Sequence, residues 1–249
     1  MNRSVLASAF LPSPNIEPRR YGRKPDMLVL HYTGMPDARK ACRWLCDPAS
    51  KVSCHYLVDE DGAVTQMVDE DMRAWHAGVS SWKGQEDLNS CSIGIEIQNP
   101  GHAAGYPDFP EAQMQTVIAL CQDIVGRHAI HPTRVLAHSD IAPERKIDPG
   151  EKFDWGRLHA QGVGHWVKPE PIEGGAFLQL GDQGQGVEAL QGMLRHYGYG
   201  VEISGTYDDA TQAMVRAFQR HFRPSRIDGI ADSSTVTTLQ RLMQDLEPA

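Results

Sequence analysis

The sequence predicts an α/β or α+β domain over roughly residues 27–160, followed by a small three-helix domain. Three observations carry this. Short apolar runs of strand length alternate with helical periodicity through the first two thirds of the chain. A Pro- and Gly-rich stretch, 167–175 (Val-Lys-Pro-Glu-Pro-Ile-Glu-Gly-Gly), has the composition of a linker. Beyond it the pattern is purely helical and repeats internally.

Residues 1–26 contain four prolines and the basic cluster Arg19, Arg20, Arg23 and Lys24, and read as an extended arm. Met27-Leu-Val-Leu-His31 is a short apolar run suited to a buried strand. Asp37 to Cys46 reads as a helix, with Asp37 as N-cap and Pro48 just past its end. Tyr56-Leu-Val58 and Ala63 to Val68 flank Asp61-Gly62, a strong hairpin signal. From Cys91 to Gln98 the residues alternate: Ile93, Ile95 and Ile97 on one face, Gly94, Glu96 and Gln98 on the other. Pro110 opens a helix in which Met114, Val117, Ile118, Cys121, Ile124 and Val125 keep helical spacing, and Gly126 is expected to close it. Val135 to His138 reads as a strand, and Ser139 to Gly150 as a loop rich in turn residues.

After the linker, Leu190, Met193 and Leu194 mark one helix. Ile203, Gly205, Asp208, Thr211, Val215 and Phe218 then recur, each 24 residues on, as Ile227, Gly229, Asp232, Thr235, Leu239 and Leu242. In each copy the Gly makes a turn, the Asp N-caps a helix and the apolar pair forms its buried stripe. The expected division is therefore an arm (1–26), a first domain (27–166), a linker (167–175) and a helical domain (176–249).

Composition narrows the function. The 249 residues are 41% hydrophobic and 22% charged, ordinary for a globular protein of one or two domains. A formal charge of −8 disfavours nucleic acid and anionic membrane surfaces as partners. No run approaches the ~18 apolar residues of a membrane span, so no integral membrane segment is expected. Ser4 to Leu11 makes a poor secretory leader, so the expectation is cytoplasmic residence, or export by another route. The five cysteines follow no disulfide or C-x-x-C pattern and read as free thiols.

His31 and His138 each stand at the end of an apolar strand, where a polar group faces a site rather than the core. Asp148 follows ten residues after His138. Two imidazoles and one carboxylate are the protein ligands of a catalytic zinc that keeps a fourth position open. Spacing alone does not bring them together, because no local signature links residues so far apart. Glu96 has two readings: a carboxylate facing solvent from an edge strand, or a general base whose pKa is lifted by burial. Lys146 is either a solvated loop lysine or an oxyanion donor beside Asp148.

The blocks Leu28-Val-Leu-His-Tyr-Thr-Gly34, Ser53-Cys-His-Tyr56, Ala74-Trp-His-Ala-Gly78, Asn89 with Ser92-Ile-Gly-Ile-Glu96, and Ala137-His-Ser-Asp-Ile-Ala-Pro-Glu-Arg-Lys-Ile-Asp-Pro-Gly150 occur in this order. Together they resemble the N-acetylmuramoyl-L-alanine amidases of the AmpD/AmiD type over about residues 25–165. That family shares its fold with peptidoglycan-recognition proteins. The resemblance implies a mixed central β-sheet flanked by helices, and one zinc ion held by His31, His138 and Asp148. It implies that Glu96 activates water and that Lys146 stabilises the oxyanion. It also places His55, Trp75, His76 and Asn89 as cleft-lining or site-supporting residues that bind substrate. The implied reaction is hydrolysis of the amide between N-acetylmuramic acid and L-alanine.

The C-terminal block resembles a helical peptidoglycan-binding domain, through Leu180-Gly-Asp-Gln-Gly184, Gly205-Thr-Tyr-Asp208, Phe218-Gln219 and Asp228-Gly-Ile-Ala-Asp232. Such a module raises local substrate concentration without supplying chemistry, which favours intact wall as substrate. The rival readings are a non-catalytic wall-recognition protein and a cytosolic amidase that recycles soluble anhydro-muropeptides.

Overall fold

A computed structural model describes residues 4–246. In chain order the regular elements are β1 (Ala9–Phe10), β2 (Ile16–Pro18), β3 (Met27–Tyr32), α1 (Ala38–Leu45), β4 (Tyr56–Val58), β5 (Val64–Gln66), β6 (Met72–Ala74), β7 (Ser92–Ile97), α2 (Glu111–His128), β8 (Val135–Ala137), α3 (His138–Ile141) and α4 (Trp155–Ala160). There follow β9 (Phe177–Leu178), α5 (Gln185–Tyr197), α6 (Asp209–Phe222), β10 (Ala231–Asp232) and α7 (Ser233–Gln244).

Six strands form one mixed sheet in the order β1-β5-β4-β7-β3-β8. β3 pairs in parallel with both β7 and β8, and β4 in parallel with β7. The β4–β5 pair is the antiparallel hairpin expected at Asp61-Gly62. Alternation along β3 decides what covers each face. Leu28 and Leu30 join Ile93, Ile95 and Ile97 in a core sealed by Val117, Cys121 and Ile124 of α2. Met27 and Val29 point the other way, into a second core shared with α5, α6 and α7. His31 continues the second series by strand parity, as Glu96 does opposite the isoleucines of β7. α1 covers Leu57 and Met67 further along the chain's first half, through Ala38, Ala41 and Leu45.

The extended arm is fastened to the body. β1 extends the sheet in parallel with β5, and β2 pairs antiparallel with β6. Arg19 closes the connection from inside: its guanidinium donates to the carbonyls of Glu70 (2.8 and 3.0 Å) and Ser92 (3.0 Å). Burial lowers its pKa to about 10.

Three expectations need correction. Gly126 does not close α2, which runs on to His128 and ends at Ala129 in the left-handed region. A helical Gly costs only about 1 kcal/mol, and the two residues beyond it are tied down. Arg127 and His128 both bind the fully buried carboxylate of Glu70, which also accepts from the Tyr56 hydroxyl at 2.5 Å. The segment after β8 is not all loop: His138 opens the short helix α3, and Asp140 accepts from the N–H of its N-cap residue Ala137. The C-terminal part is not purely helical, because β9 and β10 pair antiparallel across it.

The Glu70 cluster yields a stability prediction. Burial alone would raise the Glu70 pKa, but hydrogen bonds from Arg127, His128 and Tyr56 hold it down at about 2. A depressed folded pKa stabilises above the unfolded value, and the contribution is lost as pH falls through the folded one. Glu70→Gln should therefore cost about 3 kcal/mol near neutrality, read by urea unfolding. Wild type and variant should converge between about pH 4.5 and pH 2. A gap that persisted at pH 2 would assign the loss to packing instead of charge.

The 24-residue repeat has a physical basis. Gln191 and Gln219 reach from α5 and α6 into the following turn. The Gln191 side chain accepts from Gly205 N–H (2.9 Å) and donates to Thr211 Oγ1 (2.9 Å). Gln219 accepts from Gly229 N–H (2.9 Å) and donates to the Ile230 carbonyl (3.0 Å). Gly205 and Gly229 both have φ above +70°, which L side chains rarely adopt. Asp208 and Asp232 cap α6 and α7 as expected.

Candidate metal centre

Three parallel strands deliver polar groups at their C-terminal ends, where open α/β sheets usually build sites. His31 is the penultimate residue of β3, Glu96 the penultimate residue of β7, and His138 follows β8 directly. The 142–148 loop then returns Asp148 to the same point. His31 Nδ1, His138 Nδ1 and Asp148 Oδ2 stand 2.8, 3.0 and 3.2 Å from one another. All three residues are buried.

The hydrogen bonds behind the rings decide what these atoms present. His138 Nε2 faces the Ala77 carbonyl at 3.2 Å. A carbonyl only accepts, so the ring proton sits on Nε2 and Nδ1 offers its lone pair to the centre. For His31 the same conclusion comes through a chain. Ser92 Oγ donates to the Leu88 carbonyl (2.6 Å) and so accepts from His76 Nε2 (3.1 Å). His76 Nδ1 is then an acceptor for His31 Nε2 at 3.0 Å. That leaves His31 Nδ1 with a lone pair pointing inward. Burial and the neighbouring His138 lower the His31 pKa to about 4, so the ring is uncharged at neutral pH. Burial also drives His76 well below its ordinary value. Two nitrogen lone pairs and a carboxylate oxygen converge with no proton to share among them. A cation satisfies all three at once, and the donor set is that of a catalytic zinc.

Glu96 is not on an edge strand. β7 lies inside the sheet, and Glu96 pairs in register with His31. Its Oε2 is buried and has no hydrogen-bond partner among the described residues. Burial, reinforced by the Asp148 charge and opposed by Lys146, pushes its pKa well above the carboxylate range. Glu96 and Lys146 line the same cleft of about 400 Å³ as the three convergent side chains. Trp75 and His76 line it too, while Trp44 and Arg145, which the sequence reading passed over, complete its walls from α1 and the 142–148 loop.

The remaining residues named from sequence act from behind. Asn89 Oδ1 accepts from the backbone N–H groups of His76 (3.0 Å) and Ala77 (2.8 Å), fixing the segment that orients both imidazoles. His55 is fully buried and not part of the cleft wall. Its Nδ1 accepts from Gly94 N–H at 3.0 Å, and its ring sits 5.7 Å from that of His76. Gly94 is required there, since a Cβ would lie 2.5 Å from the His76 ring. Arg19 was missed as a site-supporting residue. It reaches His55 Nε2 (3.2 Å) and Asn89 O (3.3 Å), and no spacing in the arm signals this.

A mixed sheet with a buried His-His-Asp centre, an unpaired carboxylate and an open cleft is the constellation of a metal-dependent hydrolase. Comparison with known proteins makes the class specific. Residues 21–151 match the family model for N-acetylmuramoyl-L-alanine amidase, and residues 183–239 match a peptidoglycan binding domain. The chain belongs to the N-acetylmuramoyl-L-alanine amidase family, and it is an amide hydrolase of that class. It is 37% identical to the amidase AmiD of Escherichia coli K12 over 88% of this chain and 82% of the relative. It is 36% identical to the 1,6-anhydro-N-acetylmuramyl-L-alanine amidase AmpD of Enterobacter cloacae, over 64% of this chain and 92% of the relative. Among solved structures it resembles E. coli AmiD in complex with the substrate anhydro-N-acetylmuramic acid-L-Ala-D-gamma-Glu-L-Lys (TM-score 0.78, 35% identity, 92% of this chain and 93% of that one). It also resembles AmpDh3 of Pseudomonas aeruginosa (TM-score 0.76, 31% identity, 92% and 95%). Among the described residues no helix is long and apolar enough to cross a membrane.

Proposed function

We propose that the chain cuts the N-acetylmuramoyl–L-alanine amide with one zinc ion held by His31, His138 and Asp148. The observation that carries this is the convergence of three lone pairs beside an unpaired carboxylate. Bound there, zinc supplies Lewis-acid polarisation of the scissile carbonyl and lowers the pKa of water to about 7. Glu96 Oε2 takes the proton from the attacking water and passes it to the leaving L-alanine nitrogen. Lys146 stabilises the oxyanion from the opposite loop, an effect of about 2.7–4 kcal/mol for comparable donors. His76 and Asn89 hold the ligand rings in the correct tautomer and direction. Trp75 and Trp44 give the cleft apolar faces of the kind sugar rings pack against.

We further read residues 27–166 as the catalytic unit and 176–249 as a wall-binding unit joined by 167–175, with intact wall as the preferred substrate. The match of 183–239 to a peptidoglycan binding domain favours this. Mass spectrometry of products from purified sacculi and from soluble anhydro-muropeptides tests both parts. The expected result is release of stem peptides with a free L-alanine amine, faster from sacculi. No amide cleavage from either substrate would reject the activity. Cleavage confined to soluble fragments would reject the wall preference and favour a recycling role.

A further inference from the structure

Asp140 lies two residues after His138, on α3, and is 1% exposed. Its Oδ2 accepts from the Ala137 N–H at 2.8 Å, closing the turn that carries His138. Two side chains from the C-terminal helices complete its shell. Tyr199, just past α5, donates its hydroxyl to Oδ1 at 2.8 Å. His221 of α6 places Nδ1 2.7 Å from Oδ2. His221 has little freedom, because its ring stacks between Trp155 (3.8 Å) and Phe222 (3.9 Å).

The neighbouring backbone is clamped as well. Lys83 N–H donates to the Gly198 carbonyl (2.8 Å), and Ser81 N–H donates to the Ile141 carbonyl (2.9 Å). Trp82 is fully buried, with Tyr197 and Tyr199 edge-on to it at 6.0 and 5.1 Å. A Cβ at Gly198 would lie 2.4 Å from the Trp82 indole, so the two segments meet backbone to ring. A freely tethered module would bury no such seam. Domain contacts in tandem proteins are ordinarily polar and mobile, whereas here the apolar core runs unbroken from Met27 and Val29 to Phe218 and Phe222.

We propose that Tyr199 and His221 are positioning residues for the metal centre: through Asp140 they fix α3, and with it the direction of the His138 ring. The C-terminal helices then complete the catalytic site, beyond any part they play in wall binding. This rests on the zinc reading above only for its metal readouts.

The test uses the full-length chain. Tyr199→Phe, His221→Ala and His221→Asn are compared with Val187→Ala, which loosens the C-terminal core away from Asp140. Zinc dissociation constants come from chelator competition, and kcat and KM from a soluble muropeptide that needs no wall binding. Amide hydrogen exchange over residues 137–142 reports α3 without reference to metal. Tyr199→Phe and His221→Ala should weaken zinc binding about 10-fold or more. They should also lower kcat at nearly constant KM and speed exchange over 137–142. His221→Asn, which restores an N–H donor, should recover most of the loss. Val187→Ala should lower the thermal midpoint yet keep zinc affinity within about twofold, in line with the additivity of distant sites. Unchanged exchange over 137–142 in Tyr199→Phe and His221→Ala overturns the proposal, whatever the metal content. Changes seen on sacculi alone overturn it too and leave the C-terminal helices as a tether. A wild-type chain that binds no zinc rejects the metal reading, while the exchange comparison still decides this one.

Discussion

Glu96→Gln should bind zinc as wild type does and lose about 10³-fold in kcat, within the 10²–10⁴ range of general acid–base groups. Geometry sets this expectation. Glu96 sits in register with His31 on the same sheet face, so its carboxylate reaches into the cleft without being one of the three convergent groups. The amide keeps the shape and removes the proton acceptor. In the metal-free site burial and the Asp148 charge raise the Glu96 pKa, Lys146 opposing; a bound zinc ion's charge would oppose that rise, and the wild-type rate should fall on the acid side as the carboxylate takes up a proton. The sign follows from the role: the working form is the ionised one, and acid depletes it. That limb should vanish from the residual rate of Glu96→Gln. Rates measured from pH 4 to 9, with zinc content checked at each point, decide the matter. A variant with undiminished turnover would remove Glu96 from the mechanism, and an unchanged acid limb would assign the titration to another group.

How far the sequence foretold this site depends on the range of each interaction. β3, β7 and α1 were legible because alternation, helical period and an Asp cap are local signals. The candidate residues stood out for a related reason: a His or Glu in an apolar strand is locally costly. Their convergence was not legible from spacing, since His31 and His138 meet through the parallel β3–β8 pairing, which only the fold supplies. The resemblance to a family bridged that gap. Support from behind the site was hidden for the same reason. Arg19 reads as one more basic residue of an arm, yet it fills the space beneath His55 and Asn89. Asp140 reads as a turn residue, and its two partners lie 59 and 81 positions away. Even the misplaced end of α2 has this origin, because the Gly126 stop signal is local and the Glu70 anchor that overrides it is not.

Asp148→Asn should separate the stability of the metal-free protein from that of the loaded one, with opposite signs. In the loaded protein the carboxylate is the charged member of the shell. Its loss should weaken zinc by more than the ~10–100-fold typical of outer-shell partners, and turnover should fall with occupancy. Wild type at zinc 100 times its dissociation constant gains about 2.7 kcal/mol, a rise of roughly 5–10 °C in thermal midpoint for a chain of this size. The variant should show almost none of that rise. In the metal-free protein the balance reverses. His31 is uncharged at neutral pH, and both imidazole Nδ1 atoms present lone pairs to Asp148 Oδ2. An amide at this position offers them an N–H and withdraws a buried charge that lacks a cation, and each unsatisfied buried group costs about 1–3 kcal/mol. The metal-free variant should therefore melt at or above the metal-free wild type. Calorimetry of both chains, with chelator and with zinc, reads all four midpoints. A variant that melts well below wild type in chelator would make Asp148 an ordinary structural acceptor. Equal zinc-induced rises in the two chains would place the ion elsewhere.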